Sequence, residues 1–370
     1  SMEDSLKQSL HANAVEWYRT RKDDPSESIE HIHHLHESGD IEGLASALSE
    51  EGHKLVKAGH IELLGILRVL EARLFGPRTR FVIHELTGDI LSVQGKWDEA
   101  EEQYDMALPI AVKHKLTTPL ARIYSSRADL AVKKGEMDTA LSLHKKALEM
   151  QIKLRDAQGA ARSYNNMGYI FRRQRDNKRA LEVYGNVEEL LDSEGSSELT
   201  EARIRLASAF LEMGEMDRAR DHAMTAHDET AQNNQEKLHA RSRAVLGRYY
   251  ARIKDNDLAM HHYSGALEIL SDQSDPRSAV EVEMLLGQVL SDAGRSDEAA
   301  QHYLDALSIA EANDFRMMQG EILSRLGEVE SNRSQRMDYL QRSLVVFREL
   351  GAVDRMRDVQ NSVHRVVMGH

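Results

Sequence analysis

Four histidines crowd one short stretch of the chain: His31, His33, His34 and His36. On a helix, His31 with His34 and His33 with His36 share a face, so each pair could offer two imidazoles to zinc or nickel. A helix-borne site needs a third ligand, often a carboxylate. Glu30 and Glu37 adjoin the run, but no spacing fixes them. The plainer reading is a polar, His-rich helix face, and no metal is expected. His84-Glu85 opens the His-Glu-x-x-His pattern of zinc proteases, but position 88 is Gly. Gly95-Lys96 lacks the earlier glycine and preceding strand of a phosphate loop, and no Gly-x-Ser-x-Gly elbow or kinase string occurs. The absence of cysteine excludes a disulfide framework, a zinc-thiolate site and a catalytic thiol. No nucleophile, base and orienter can be assembled, so neither enzymatic activity nor a cofactor is expected.

A second population of side chains has the chemistry of recognition. Arg162, Asn165, Asn166, Tyr169, Arg172 and Arg173 recur at helical spacing, as do Arg241, Arg248 and Arg252, with Arg122 and Arg205 elsewhere in the series. Guanidinium forks pair carboxylates and phosphates bidentately, and asparagine can hold an extended backbone by donor and acceptor together. What would place these residues together is a repeat.

Gly95-Lys-Trp-Asp-Glu-Ala100 precedes Tyr104 and Ala107-Leu108, and it recurs as Gly135–Ala140 and Gly294–Ala299, with weaker copies starting at Arg175, Gly214 and Lys254. Successive offsets are 40, 40, 39, 40 and 40 residues. Seven residues before each start lies a small residue, Gly88, Ala128, Gly168, Ala207, Gly247 or Gly287, and Gly327 continues the series. Each repeat reads as two helices: apolar residues at helical spacing, a turn, then an acidic first turn such as Asp98-Glu99. Small residues would let the two axes approach closely. A lone hairpin cannot bury its apolar face, so the hairpins must stack.

The small pairs Gly88/Ala100, Gly168/Ala180 and Gly287/Ala299, the aromatics Tyr104, Tyr184, Tyr263 and Tyr303, and the following Ala-Leu resemble the tetratricopeptide repeat over about 81–356. The period exceeds the usual 34 and is similar to that of the kinesin light chain type. The closing proline is missing, and Pro109 falls inside a helix. The resemblance implies an all-α fold, a right-handed α-solenoid of seven antiparallel hairpins over 78–356, followed by a capping segment at 357–370. The last repeat is expected to be shortened, since Leu340 and Ser343-Leu344 arrive early.

Residues 1–77 are off the period, with helices expected near 3–20, 26–37, 41–57 and 61–75 and stops at Gly39, Gly59 and Gly76-Pro77. The cadence His11-Ala-Asn-Ala-Val-Glu-Trp-Tyr18, Pro25, Ser28-Ile-Glu-His31, Gly39-Asp40 and Leu44-Ala45 resembles the helical arm of signal-transduction ATPases with numerous domains (the STAND class). That resemblance implies a sensor or partner-recognition role within a larger ATPase. The alternative is a free-standing adaptor that scaffolds two proteins. Ser1-Met2 reads as an expression remnant, which leaves open whether the chain was cut from something longer.

The first helices of a curved solenoid line its concave side. Counting each small residue as position 8, positions 4, 7, 8 and 11 form the core stripe, and positions 2, 5, 6, 9, 12 and 13 face the groove. The groove stripe holds the arginines and asparagines named above, with Asp129, Lys133, Glu201 and Glu212. The whole chain carries 61 acidic against 48 basic residues, a net charge of −13. Yet the middle repeats turn a positive stripe inward. The expected ligand is a protein or peptide with an acidic or phosphate-bearing segment, or a small anionic effector. Net negative charge argues against direct nucleic-acid or membrane binding, and the expected location is the cytoplasm. Trp17 and Trp97, the methionines and the tyrosine series are expected to be packing residues.

Overall fold

The structure, a computed structural model, describes residues 2–18, 25–58, 60–71, 75–191, 196–273 and 275–368. Among the described residues every regular element is a helix. Four precede the periodic region: α1 (Met2–Tyr18), α2 (Pro25–Ser38), α3 (Ile41–Ala58) and α4 (Leu63–Glu71). Hairpins then follow as α5 (Pro77–Val93) with α6 (Trp97–Lys113), α7 (Thr117–Lys134) with α8 (Met137–Leu154), and α9 (Ala157–Arg173) with α10 (Asn177–Leu190). Next come α11 (Ser197–Met213) with α12 (Met216–Gln232), α13 (Glu236–Arg252) with α14 (Asn256–Gln273), and α15 (Pro276–Asp292) with α16 (Ser296–Ala312). The pair α17 (Arg316–Val329) and α18 (Arg333–Glu349) precedes a single helix, α19 (Val353–Met368). The expected stop at Gly59, the ends of the first and fourth expected helices at 19–20 and 72–74, and the last residues of the expected cap, 369–370, lie outside the described residues.

The starts picked out by the repeat are the left-handed residues that reverse the chain. Gly95, Gly135, Gly214 and Gly294 have φ of 77°, 83°, 79° and 77°. At Gly135 the turn closes with its own N–H donating to Val132 O and the Glu136 N–H donating to Ala131 O, which satisfies carbonyls left over at the helix end. Arg175 and Lys254 adopt the same conformation with a side chain, at φ 60° and 63°. Side chains rarely tolerate that geometry, so these two weaker copies of the motif are held in place by the packing on either side.

The chain divides into two compact units, 1–170 and 171–370. In the first, one apolar core runs from Ile32 and Leu35 of α2 through Leu44 and Leu48 of α3, Leu63 and Leu67 of α4, and on to Phe81, Leu86, Tyr104 and Ile123. The non-periodic helices are therefore packed onto the first hairpin. In the second, Ala259, Tyr263, Leu286, Tyr303 and Leu326 belong to one core that passes through consecutive hairpins.

The small residue at position 8 receives a ring. A Cβ added at Gly88 would lie 2.5 Å from the Tyr104 ring, one at Gly247 2.5 Å from Tyr263, and one at Gly287 2.7 Å from Tyr303. All three tyrosines are fully buried. Where position 8 is alanine, the partner shrinks: Ala128 is matched with His144 and Ala207 with Ala223, again buried. The tyrosine series is therefore core, as expected. The tryptophans are not: Trp17 is 50% and Trp97 40% exposed, so neither anchors the packing. The methionines divide: Met167 is buried and Met137, Met260, Met284, Met318, Met337 and Met356 pack half-buried against the cores, as expected, whereas Met106, Met213, Met224 and Met317 are exposed. Ala, Leu and Tyr already fill the tight interhelical space, which leaves the flexible methionines to its margins.

Replacing Gly287 with Ala tests this packing. Alanine is a better helix former by about 1 kcal/mol, yet the added methyl must displace a buried ring, and the net effect expected is a loss of about 1–3 kcal/mol. Adding Tyr303→His, which copies the Ala128–His144 pairing, should recover part of that loss in urea unfolding. A Gly287→Ala protein as stable as the parent would refute the close approach.

Candidate functional site

The positions assigned from the sequence lie on first helices, and the structure pairs Arg122, Asn166, Arg172, Arg241 and Arg248 with carboxylates of neighbouring hairpins. In the first unit the pairing begins with Glu85 on α5, whose side chain is 0% exposed. Arg122 of α7 donates to both its oxygens, Nε at 3.1 Å and Nη2 at 2.9 Å. From the other side His53 of α3 approaches Glu85 at 3.1 Å and Asp89 at 3.7 Å. The Tyr104 hydroxyl donates to Asp89 at 2.7 Å, and Lys133 donates to the Ser92 hydroxyl at 2.8 Å. A buried carboxylate needs such company, because leaving one unpaired costs several kcal/mol. Burial pulls the His53 imidazole down, but hydrogen bonds to Asp89 and Glu85 outweigh it and raise the group to about 9. His53 is therefore a cation at neutral pH.

Further along this unit, Asn166 donates to Asp129 at 2.9 Å. Surrounding protein and the nearby Asp89 push the Asp129 carboxyl up to about 7, against the pull of Lys133 and Arg162. Half of its side chain nevertheless remains open to water, which moderates that effect. Asn165 was expected in the groove stripe, but it is 3% exposed. At this point of the helix the stripe turns into the core: Ser163, two residues earlier, is also buried and donates to Gln151 of α8 at 2.7 Å. Arg162 is exposed, and Tyr169 is half-buried.

The second unit holds the arginine excess. Glu201 of α11 accepts from Arg205 Nε at 3.0 Å and from Arg241 Nη1 of α13 at 3.1 Å. Burial would raise the Glu201 carboxyl, but the two guanidiniums more than reverse this and hold it at about 2. Glu212 pairs with Arg172 and lies 3.9 Å from Arg248. Burial and the adjacent Arg172 depress the Arg248 guanidinium, partly offset by Glu212. Arg173 and Arg252 stand exposed on the last turns of α9 and α13. Each carboxylate here is shared by two arginines, so the face stays net positive after pairing. In the first unit, by contrast, Glu85, Asp89 and Asp129 meet Arg122, Arg162, Lys133 and His53 on nearly even terms.

The histidine run is part polar face and part packing: His33 is exposed, and His34 and His36 are half-buried. His31 is buried, and His34 Nδ1 lies 2.7 Å from Nδ1 of His11 on α1 and stacks on Tyr18. Its rings help pack α2 against α1. Sequence reasoning missed His53, which lies outside the repeat. It met Glu85 only as the second residue of a failed zinc motif. The signal for Glu85 was its place at groove position 5 of the first repeat.

Models of the tetratricopeptide repeat match residues 119–192 and 284–313. Among solved structures the chain is similar to a STAND protein with a tetratricopeptide repeat sensor from Pyrococcus horikoshii, with TM-score 0.68 and 14% identity, over 95% of this chain and 55% of that one. It thus spans about half the length of that protein. It is also similar to the apo form of the quorum sensor NprR from B. thuringiensis, with TM-score 0.63 and 13% identity over 90% and 94% of the two chains. A Rap protein complexed with competence and sporulation factor gives TM-score 0.54 and 14% identity over 88% and 98%. Curated protein sequences give no match.

The charged set around His53 carries a pH signature. Its folded pKa of about 9 exceeds the ordinary histidine value near 6.5. The stabilisation is therefore complete below about pH 6.5 and lost as pH rises through 9, and it amounts to at most about 3 kcal/mol. Comparing His53→Gln with the parent by thermal melts from pH 6 to 10 should show a gap that closes over this window. A gap independent of pH would mean that His53 is not charged in the fold.

Proposed function

We propose that this chain of tetratricopeptide hairpins is a non-catalytic recognition module whose arginine-rich first-helix face, from Arg172 to Arg252, binds the acidic or phosphate-bearing segment of a protein or peptide, or a small anionic effector. The observation that carries this reading is the sharing of Glu201 and Glu212 between two arginines each. An isolated surface pair is satisfied and contributes little. Two guanidiniums around one carboxylate leave a net positive charge, and a ligand oxyanion can join without breaking the existing pair. On first helices of the first unit, Asn166, Arg122, Arg162 and Tyr169 would offer a recognition surface of their own, with Asn166 reading peptide backbone, and Arg173 would add to the face of the second unit.

The likeness to a STAND protein with a tetratricopeptide sensor, over 95% of this chain, supports the sensor of a cytoplasmic STAND-type regulatory ATPase as the setting. The reach over 94% and 98% of the NprR and Rap chains favours a second reading, a free-standing adaptor or peptide receptor. The parent reading frame separates them: a phosphate loop encoded upstream of Met2 supports the first, and a ribosome-binding site immediately before it the second.

Binding is tested with fluorescein-labelled Glu-rich, phosphoserine-containing and Lys-rich peptides of equal length, read by anisotropy. The acidic peptides should bind and weaken steeply between 0.1 and 1 M salt, as the screening length falls from about 10 to 3 Å. Arg172→Glu with Arg248→Glu should abolish that binding while leaving the helical circular dichroism intact. Acidic peptides that do not bind at 0.1 M salt, or that bind the double variant equally, would overturn the assignment.

A further inference from the structure

Histidine occupies the same second-helix position in three successive hairpins of the second unit: His222 on α12, His262 on α14 and His302 on α16, spaced by 40 residues. Repetition makes these hairpins controls for one another. His222 stacks on Phe210, with Glu188 3.6 Å from its Nδ1 and the charges of Arg218 and Arg203 close by. His262 stacks on Tyr250, with Arg243 donating to its backbone carbonyl. Arginine beside each ring disfavours a metal ion there, and neither hairpin brings three ligand atoms together among the described residues. At His302 the residue in the corresponding first-helix position is instead Glu283 of α15, whose Oε2 lies 2.7 Å from His302 Nδ1. Three residues beyond the histidine, where the other two hairpins carry Thr225 and Gly265, this one carries Asp305.

Glu283, His302 and Asp305 each direct one donor atom into the same space, all within 4.8 Å of one another. Ligand bonds of about 2.0–2.2 Å to zinc place tetrahedral donors roughly 3.3 Å apart, so small side-chain rotations close the set. Gln301 holds Asp305 by donating to its Oδ1 at 3.0 Å. Glu283 and His302 are half-buried, and Asp305 opens to solvent, which supplies an entry path and room for a water as fourth ligand. We propose that Glu283, His302 and Asp305 form a binding site for a divalent transition metal, zinc(II) by its ligand set, which clamps α15 to α16. One imidazole with two carboxylates suits zinc or manganese, whereas magnesium prefers all-oxygen octahedral shells. Two carboxylates also balance the charge of the ion.

Zinc chloride, manganese chloride and magnesium chloride are titrated into the full chain, followed by calorimetry and thermal melting. Zinc should bind with a stoichiometry of one at this site and raise the melting temperature, manganese more weakly, and magnesium not at all. Asp305→Asn removes a solvent-facing ligand and spares the Glu283–His302 contact. It should leave the metal-free melting temperature unchanged and weaken zinc by at least about tenfold. His302→Asn should weaken zinc likewise but also loses the Glu283 contact, so Asp305→Asn alone decides the matter if that protein fails to fold. Imidazoles also lie together at His11 with His34 and at His227 with His239, so His34→Ala with His239→Ala serves as the control. Zinc affinity that persists in Asp305→Asn, that disappears with these control histidines, or that is absent from the parent protein overturns the site.

Discussion

Everything in this chain depends on a tyrosine ring seated against a helix that lacks a side chain at the point of contact. In the hairpins of Gly88, Gly247 and Gly287 the ring edge occupies the space a Cβ would need. The close approach fixes the crossing of the two helices and their axial register at once, because a shift of one residue would drive a neighbouring side chain into the ring. Where the cleft is narrowed by Ala128 or Ala207, the incoming residue is His144 or Ala223. Alanine with histidine nearly keeps the volume of glycine with tyrosine, whereas Ala207 with Ala223 is smaller, so neighbouring side chains must fill that space.

A fixed register has an electrostatic consequence. First helices that repeat every 40 residues bring equivalent turns of successive hairpins side by side, so residues about 40 apart become neighbours. Arg172 with Glu212 and Arg241 with Glu201 are such pairs, at a separation of 40. On a single helix these residues would be solvated and worth a few tenths of a kcal/mol. Set between helices they are partly desolvated, and one carboxylate must serve two guanidiniums. Burial first, and the adjacent Arg172 second, depress the Arg248 guanidinium, against the pull of Glu212. That residual repulsion is the energy a ligand oxyanion could relieve, and it comes from the same stacking that makes the fold.

The legible part of the structure is the part that repeats. The turns at Gly95 through Gly294, the buried tyrosines and Pro109 inside α6 follow from the period and from residue type. What the sequence hid was set by contacts between distant segments. Asn165 and Asn166 look equivalent as letters, but one is buried and the other reaches Asp129, because the boundary between the core and groove stripes passes between them. Trp97 looks like an anchor, but it starts α6 ahead of the buried stripe of Ala100 and Tyr104. His53 lies outside the repeat altogether, and only the packing of α3 on α5 reveals it as the counter-ion of Glu85.

The three histidines of the second unit show how a repeat protein acquires local chemistry without altering its frame. The backbone presents an imidazole at one place in three hairpins, and the residue opposite decides what it becomes. Burial and the Arg243 charge lower His262 to about 4, keeping it neutral. The hydrogen bond to Glu283 raises His302. One substitution on a first helix, from guanidinium to carboxylate, thus reverses the field at an otherwise equivalent ring. Register is maintained by the tyrosines, which lie on the interior face of the same helices, so such exchanges are uncoupled from folding. The same separation applies to the first-helix arginines: packing holds the helices at fixed spacing, and charge on their outer stripe can vary hairpin by hairpin.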